Sequence, residues 1–223
     1  MTTLIEAARN LARRGYMPGQ SGNLSFRTAR GFTITPSGLP YDGLTEGDLV
    51  KLDLAGERLG GHRRPSSEWR LHAAIYAARP DALAIVHTHS PRATALACAR
   101  RDIPPFHYMI ALAGGDDIRC ARYATFGTQE LADNAVAALE GRRACLLANH
   151  GTVAIGRTMG EAERLAGEVE NLAGMYLDML AARVEPVRLS PAEMEQVRAQ
   201  FEGGQGARIR IGFSGAPLSI GQE

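Results

Sequence analysis

Between residues 3 and 14 apolar side chains recur at three- and four-residue intervals, at Leu4, Ile5, Ala8, Leu11 and Ala12. That spacing predicts one face of a helix, which Gly15 terminates. Residues 17–25 then read as a glycine-rich turn leading into a strand over 23–27. A short strand at 33–35 runs into the turn Pro36-Ser37-Gly38, a hairpin with exposed backbone amides. Ser66 and Ser67 stand at the N-cap of a periodic run from 68 to 78 that ends at Pro80. Residues 82–86 are a continuous apolar run, a buried strand that delivers His87-Thr88-His89, and Pro91 opens the next helix. A second buried strand over 144–148 delivers Asn149-His150-Gly151, with 152–155 as its continuation. A long amphipathic helix follows from Thr158 to about Arg183, then a shorter one opened by Pro191, then a glycine-rich tail near 203–206.

These elements interleave without a regular βαβ alternation, and the adjacent short strands near the N-terminus suggest hairpins. A mixed, mostly antiparallel sheet covered by helices is the expected α/β architecture. At 223 residues with 45% hydrophobic and 22% charged side chains, the chain has the balance of an ordinary soluble globular protein and enough apolar material for one core. A single domain over 1–223 is expected, with a tail from about 203 to 223. The 25 basic and 24 acidic residues leave a formal charge of +1, hence no field to draw nucleic acid or an anionic membrane; any anion site must be local. Cys98, Cys120 and Cys145 are odd in number and form no CxxC pair, which argues against a disulfide framework. The N-terminal segment is charged throughout and no stretch reaches membrane-span length, so the cytoplasm is the expected location.

Chemistry concentrates at the strand ends. In an extended strand residues two apart face one side, so His87 and His89 can present both imidazoles to one point while Thr88 turns away. His150 from the second strand end would complete a three-nitrogen site with positions left open, the arrangement of a catalytic zinc. Taken singly these signals are weak, because an HxH pair arises by chance in many chains and strand-end histidines often only satisfy nearby carbonyls. His62, His72 and His107 are not expected as ligands. Glu68 at a helix start could simply favour the helix dipole. Beside a metal it could instead exchange a proton with a carbon next to a polarised carbonyl. Ser66 and Ser67, with free amides at a helix N-terminus, suit a phosphate dianion, and Gly22-Asn23 and Ser37-Gly38 can add donors. The segment Gly19-Gln20-Ser21-Gly22-Asn23 lacks the Lys-Ser/Thr of a nucleotide P-loop and precedes a strand.

In chain order, SGNLS, TPSG, PSSEWRLH, HTHS, FHYM, YATFGT and NHG resemble the class II aldolase/adducin family, most closely its L-fuculose-1-phosphate aldolases, from the first helix to about Arg183. The resemblance implies a three-layer α/β/α domain and a metal-dependent retro-aldol cleavage of a ketose 1-phosphate to dihydroxyacetone phosphate and an aldehyde. It places Zn2+, with Mn2+ or Co2+ as alternatives, on His87, His89 and His150, with Glu68 as a ligand that becomes the acid/base once substrate displaces it. It places phosphate on Gly22, Asn23, Ser37, Gly38, Ser66 and Ser67, puts Phe126 in the aldehyde pocket, and gives Tyr108 a role in a neighbouring subunit's site within a homotetramer. No Schiff-base lysine is implied, in keeping with Lys51 as the only lysine.

Two departures bear on the substrate. The stretch Gly204-Gln205-Gly206-Ala207-Arg208 lacks the tyrosine that fucose-pathway relatives carry there, which opens the aldehyde end to 5-deoxyribulose or 5-methylthioribulose 1-phosphate beside L-fuculose 1-phosphate. The family's 4-epimerases use a further histidine toward the C-terminus, and none follows His150 here. An epimerase or a phosphotetronate decarboxylase on the same scaffold is the alternative, with a non-catalytic adducin-like interaction module behind both.

Overall fold

The computed structural model describes residues 2–203; the tail discussed above, from Gly204 onward, lies outside the described residues. In chain order the elements are α1 (Leu4–Arg13), β1 (Asn23–Thr28), β2 (Gly31–Ile34), β3 (Val50–Leu52), β4 (Arg58–Gly60), α2 (Trp69–Ala78), β5 (Ala84–Thr88), α3 (Pro91–Cys98), β6 (Cys120–Ala121), α4 (Gln129–Ala138), β7 (Ala144–Leu147), β8 (Gly151–Gly156), α5 (Met159–Ala181) and α6 (Pro191–Glu202). The strands form one sheet in the order β4-β3-β2-β1-β5-β8-β7-β6, antiparallel throughout except for the parallel pair β6 and β7.

Alternation along the strands sorts side chains into two cores. Leu24, Ala84, Val86, Ala144, Leu146 and Ala154 face a layer built from α1, α3 and α5, whereas Ile85, Cys145, Leu147, Val153 and Ile155 face α2 and α4. The strands therefore read as continuous apolar runs because both sheet faces are covered. This is a three-layer α/β/α arrangement with a mixed, mostly antiparallel sheet, as the sequence led us to expect. Helix α5 is capped by the Thr158 hydroxyl and buries Leu165, Val169, Leu172 and Tyr176 along one stripe, each apolar side chain contributing about 1.5–3 kcal/mol when fully buried.

Three expectations change. The segment 152–155 does not continue the strand before it: β8 turns back antiparallel to β7 with Leu147 opposite Gly151, and Asn149 makes the reversal at φ 55°. Strand β5 begins at Ala84 rather than 82, because Ala82 still belongs to a turn closed by its amide on the Arg79 carbonyl, and ladder pairing with β1 and β8 starts at Ala84. The N-cap of α2 is Glu68, not a serine; the Ser66 carbonyl accepts the Trp69 amide, so the serines form the bend that feeds the helix.

Candidate active site

The sheet topology brings three chain segments to one edge. Asn23 at the start of β1 pairs with His87 near the end of β5, and His87 pairs with Val153 of β8, two residues beyond Gly151. His89 follows β5 directly, its amide held by the Tyr16 carbonyl at 3.0 Å, and His150 sits in the β7–β8 reversal, its amide held by the Leu147 carbonyl at 3.0 Å. Gly22 and Gly151 permit the close approach. A Cβ on Gly151 would lie 2.3 Å from the Thr88 carbonyl oxygen, and one on Gly22, at φ +86°, would lie 2.6 Å from that of His87.

The three imidazoles surround a common point. Their ring centroids stand 4.9, 4.9 and 4.8 Å apart and every pair is edge-on, at interplanar angles of 70°, 71° and 86°. His87 is fully buried and its Nδ1 donates to the Thr152 carbonyl at 2.9 Å, which leaves the ring's other nitrogen directed inward. That Nε2 lies 3.0 Å from Glu68 Oε2 and 3.0 Å from His89 Nε2, while His150 Nε2 is 3.3 Å from Glu68 Oε1. One donor atom from each of Glu68, His87, His89 and His150 falls within 4.8 Å of the other three. Asn23 Nδ2 donates to Glu68 Oε2 at 2.9 Å, but buried Oε1 receives no hydrogen bond among the described residues.

Electrostatics points the same way. Burial opposes the charge on Glu68, but His87, then His150 and the Asn23 amide, outweigh it and hold the carboxyl well below the usual carboxylate range. Burial, reinforced by His87, pushes His89 down to about 3 and His150 down to about 4, so both are neutral at pH 7, the form in which imidazole binds a metal. For His87 burial is overcome by Glu68 and by the hydrogen bonds to Glu68 and Thr152, and its pKa rises. The ionised carboxylate and the raised pKa of His87 both favour positive charge at the centre of the cluster. Three inward imidazole nitrogens and an orphaned carboxylate oxygen fit a divalent metal.

Above the cluster opens a cavity of about 370 Å³. Gly22, Asn23, Ser37, Gly38, Ser66 and Ser67 form its wall together with Glu68, His89 and His150 of the cluster, and Phe126 lines it as well. The wall is a clamp of two loops: Pro36 bridges Pro65, the Ser37 amide donates to the Arg64 carbonyl at 2.9 Å, and the Ser66 amide to the Thr35 carbonyl at 3.2 Å. The Ser66 amide is therefore committed, contrary to the expectation of free amides at both Ser66 and Ser67, and the Ser37 amide is committed as well. Those of Gly22, Gly38 and Ser67 form no hydrogen bond among the described residues. Tyr123, Asn149, Gln20 and Ser21 also line the cavity. Sequence reasoning passed over them, although Tyr123 and Asn149 open the motifs YATFGT and NHG. Tyr108 does not line it; the ring is 46% exposed and packs on His107 and Phe201. Lys51 is exposed on β3 and no lysine lines the cavity.

The family model for the class II aldolase and adducin N-terminal domain matches residues 2–177. The chain belongs to the class II aldolase and adducin family. Within it, the chain is 53% identical over 199 residues to the 5-methylthioribulose-1-phosphate/5-deoxyribulose-1-phosphate aldolase of Rhodospirillum rubrum, covering 89% of each protein. It is 45% identical over 199 residues to the L-fuculose phosphate aldolase of Escherichia coli, covering 89% of this chain and 92% of that one. A solved L-fuculose 1-phosphate aldolase superposes with a TM-score of 0.85 at 43% identity, over 89% of this chain and 94% of the other. The mixed sheet with its two helical layers is thus the fold of this family.

Proposed function

We propose that this protein is a metal-dependent aldolase that cleaves a ketose 1-phosphate, a 5-deoxy- or 5-methylthio-pentulose 1-phosphate or L-fuculose 1-phosphate, into dihydroxyacetone phosphate and an aldehyde. The observation that carries this reading is one cavity in which a Glu/His3 donor cluster faces a wall of serine hydroxyls and uncommitted amides. Aldolase relatives at 45% and 53% identity support it.

Gly22, Gly38 and Ser67 offer backbone N–H groups to the phosphate, with the Ser37 and Ser66 hydroxyls and the Asn23 amide beside them. That anchors C1 of the ketose on one wall and sets C2 and C3 over the cluster. A divalent cation held by His87, His89 and His150 would supply positive charge for the oxygen on which electrons collect. When the C3–C4 bond breaks, the C4 hydroxyl hands its proton by way of the Tyr108 phenol of a neighbouring subunit to solvent and becomes the aldehyde, while the bond's electron pair moves toward the C2 carbonyl oxygen. C3 must then take up a proton, and Glu68, the only carboxylate among the described residues that line the cavity, is positioned to exchange it. Phe126 and Tyr123, which also line the cavity, are assigned to the aldehyde end. The single lysine is exposed and outside the cavity, so an imine with the ketone has no amine to form from.

Three imidazoles and one carboxylate form the donor set of zinc, and manganese or cobalt suit it as well. Tyr108 does not line its own cavity and is assigned to the aldehyde oxygen in a neighbouring subunit of a homotetramer. The chain acts as one unit over 1–223, in the cytoplasm; among the described residues no helix is long and apolar enough to cross a membrane. The test is dihydroxyacetone phosphate release from 5-deoxyribulose 1-phosphate and L-fuculose 1-phosphate, with and without chelator. Chelator-sensitive release is expected, and the faster substrate defines the aldehyde pocket. No release from either by metal-filled protein overturns the aldolase reading in favour of epimerisation or decarboxylation.

A further inference from the structure

One buried polar side chain has no part in the scheme above. His72 on α2 is fully buried, and burial, with the charge of His87, pushes it down to about 3, so it is a neutral imidazole at pH 7. Both of its nitrogens are engaged. Nε2 lies 2.5 Å from Asn23 Oδ1, and Nδ1 lies 2.6 Å from Ser25 Oγ, which is itself 2.8 Å from the Tyr76 hydroxyl. With the Asn23 to Glu68 bond this makes one continuous chain: Tyr76, Ser25, His72, Asn23, Glu68.

The chain arises from a match of two periods. Side chains two apart on a strand share a face, so Asn23 and Ser25 of β1 both look toward α2. Residues four apart on a helix form a stripe, so Glu68 at the cap, His72 and Tyr76 look back toward β1. Two strand residues advance about 6.6 Å and four helix residues about 6 Å, so the two rows interleave almost in step.

One charge fixes every proton along it. An ionised carboxylate only accepts, so Asn23 must turn its NH2 to Glu68 and its oxygen to His72. His72 then has to carry its proton on Nε2, which makes Nδ1 an acceptor for the Ser25 hydroxyl. Ser25 accepts in turn from Tyr76, whose ring is covered by the Arg27 guanidinium at 4.7 Å. With the opposite tautomer Asn23 would reverse and face its oxygen to Glu68, two acceptors with no hydrogen between them.

We propose that His72, as its Nε2–H tautomer, is a positioning residue that orients the Asn23 amide toward Glu68, and that Ser25 and Tyr76 hold His72 in that tautomer. Its importance for turnover rests on the aldolase reading; the tautomer itself does not.

Two measurements on full-length protein test it. In 15N-labelled wild type at pH 7, with the His72 signals assigned by their loss in His72→Gln, two-bond proton–nitrogen correlations are expected to show a neutral ring protonated at Nε2. A proton on Nδ1, or an imidazolium, overturns the proposal without any variant having to fold. In the cleavage assay His72→Leu, which strands the Asn23 oxygen, is expected to lower kcat about 10- to 100-fold at unchanged metal content, the loss of one hydrogen bond to a charged group. His72→Gln keeps an N–H for Asn23 and is expected within about threefold of wild type, the loss of one neutral hydrogen bond. Equal losses in folded, metal-filled Leu and Gln variants overturn the orienting role. An Nε2–H ring in a protein that cleaves neither ketose phosphate supports the chain of hydrogen bonds and overturns the assigned reaction instead.

Discussion

Gly151→Ala adds one methyl group at the tightest point of the cluster. The new Cβ would stand 2.3 Å from the Thr88 carbonyl oxygen, 3.0 Å from His89 Cδ2 and 3.3 Å from His87 Cε1. Gly151 has no positive φ, so the cost comes from contact and not from backbone strain. The nearest obstructing atom belongs to the backbone of β5, so no flexible side chain can swing aside to relieve it. Cβ atoms essentially never approach closer than 3.0 Å, and opening the contact from 2.3 Å to that limit moves β8 off β5 by about 0.7 Å, where a 1 Å misplacement can cost about 100-fold. Overpacking of this kind costs about 1–3 kcal/mol, or about 3–9 °C in Tm at about 3 °C per kcal/mol for a chain of this length. Thermal melts of chelated protein read the packing term, and competition for zinc against a fluorescent chelator reads the donor geometry, expected to weaken tenfold or more on the same ground. Gly43→Ala is the control, since a Cβ there meets nothing within 4 Å. A Gly151→Ala protein with wild-type Tm and wild-type zinc affinity would refute the claim that this glycine sets the spacing of the histidines.

Other perturbations read other parts of the molecule. Tyr108→Phe is expected to lower turnover about tenfold or more while sparing metal content, on the scale of losing an acid/base group. Mixing it with Glu68→Ala should restore some activity, and verified mixed oligomers that stay inactive would rule out sharing in trans. Burial keeps His72 neutral down to about pH 3, so below the ordinary value of about 6.5 the unfolded chain binds a proton that the folded chain refuses. Stability should therefore fall by up to about 1.4 kcal/mol per pH unit between about 6.5 and 3 on this account. Urea melts at pH 7, 6 and 5 should show a shallower fall for His72→Gln than for wild type, and equal slopes would show that His72 titrates normally. Glu170 is buried on α5 and accepts the Arg92 and Ala93 amides at 2.9 and 2.8 Å, capping α3 from another element. Glu170→Ala strands both, at an expected cost of about 2–4 kcal/mol in urea unfolding; a loss under about 0.5 kcal/mol, the surface-substitution range, would show that water replaces the carboxylate.

How much of this was legible in the sequence depends on how many residues an element spends on one signal. Helix α5 has 23 residues, a Thr158 cap and a sustained apolar stripe, and its limits were read to within about two residues. Strand β5 was visible as an aliphatic run, but its start moved by two residues, because the turn through Ala82 is as apolar as the strand. Strands β3, β4 and β6 have three, three and two residues, too few for alternation to register. Helix α4 was missed because its core face is Leu131 and three alanines, which carry little contrast with the alanines around them. The β7–β8 reversal contains no glycine or proline before Gly151; Asn149 takes the left-handed conformation that asparagine tolerates, and two strands read as one. The donor cluster was suggested by HxH at a strand end and secured only by the family motifs. The hydrogen-bond chain through His72 depends on β1 lying under α2, which no local pattern states.

The four donor residues are not held alike, and the difference bears on what each can do. His87 sits in the ladder between β1 and β8 with its Nδ1 tied to Thr152, His89 is fixed through its amide to Tyr16, and His150 through its amide to Leu147. Moving any of these backbones disturbs sheet pairing or a turn closure, so folding has already met the cost of converging three imidazoles. Glu68 comes instead from the cap of α2, makes no capping bond with its side chain, and among the described residues is tied outside the histidines only by the Asn23 amide. Withdrawing its carboxylate from the centre breaks a few side-chain contacts and leaves every strand in place. A carboxylate with the double task proposed for Glu68, beside a metal and exchanging a proton with substrate, is better hung from a helix cap than from a strand. The division between three fixed donors and one movable one follows from which secondary structure each was placed on.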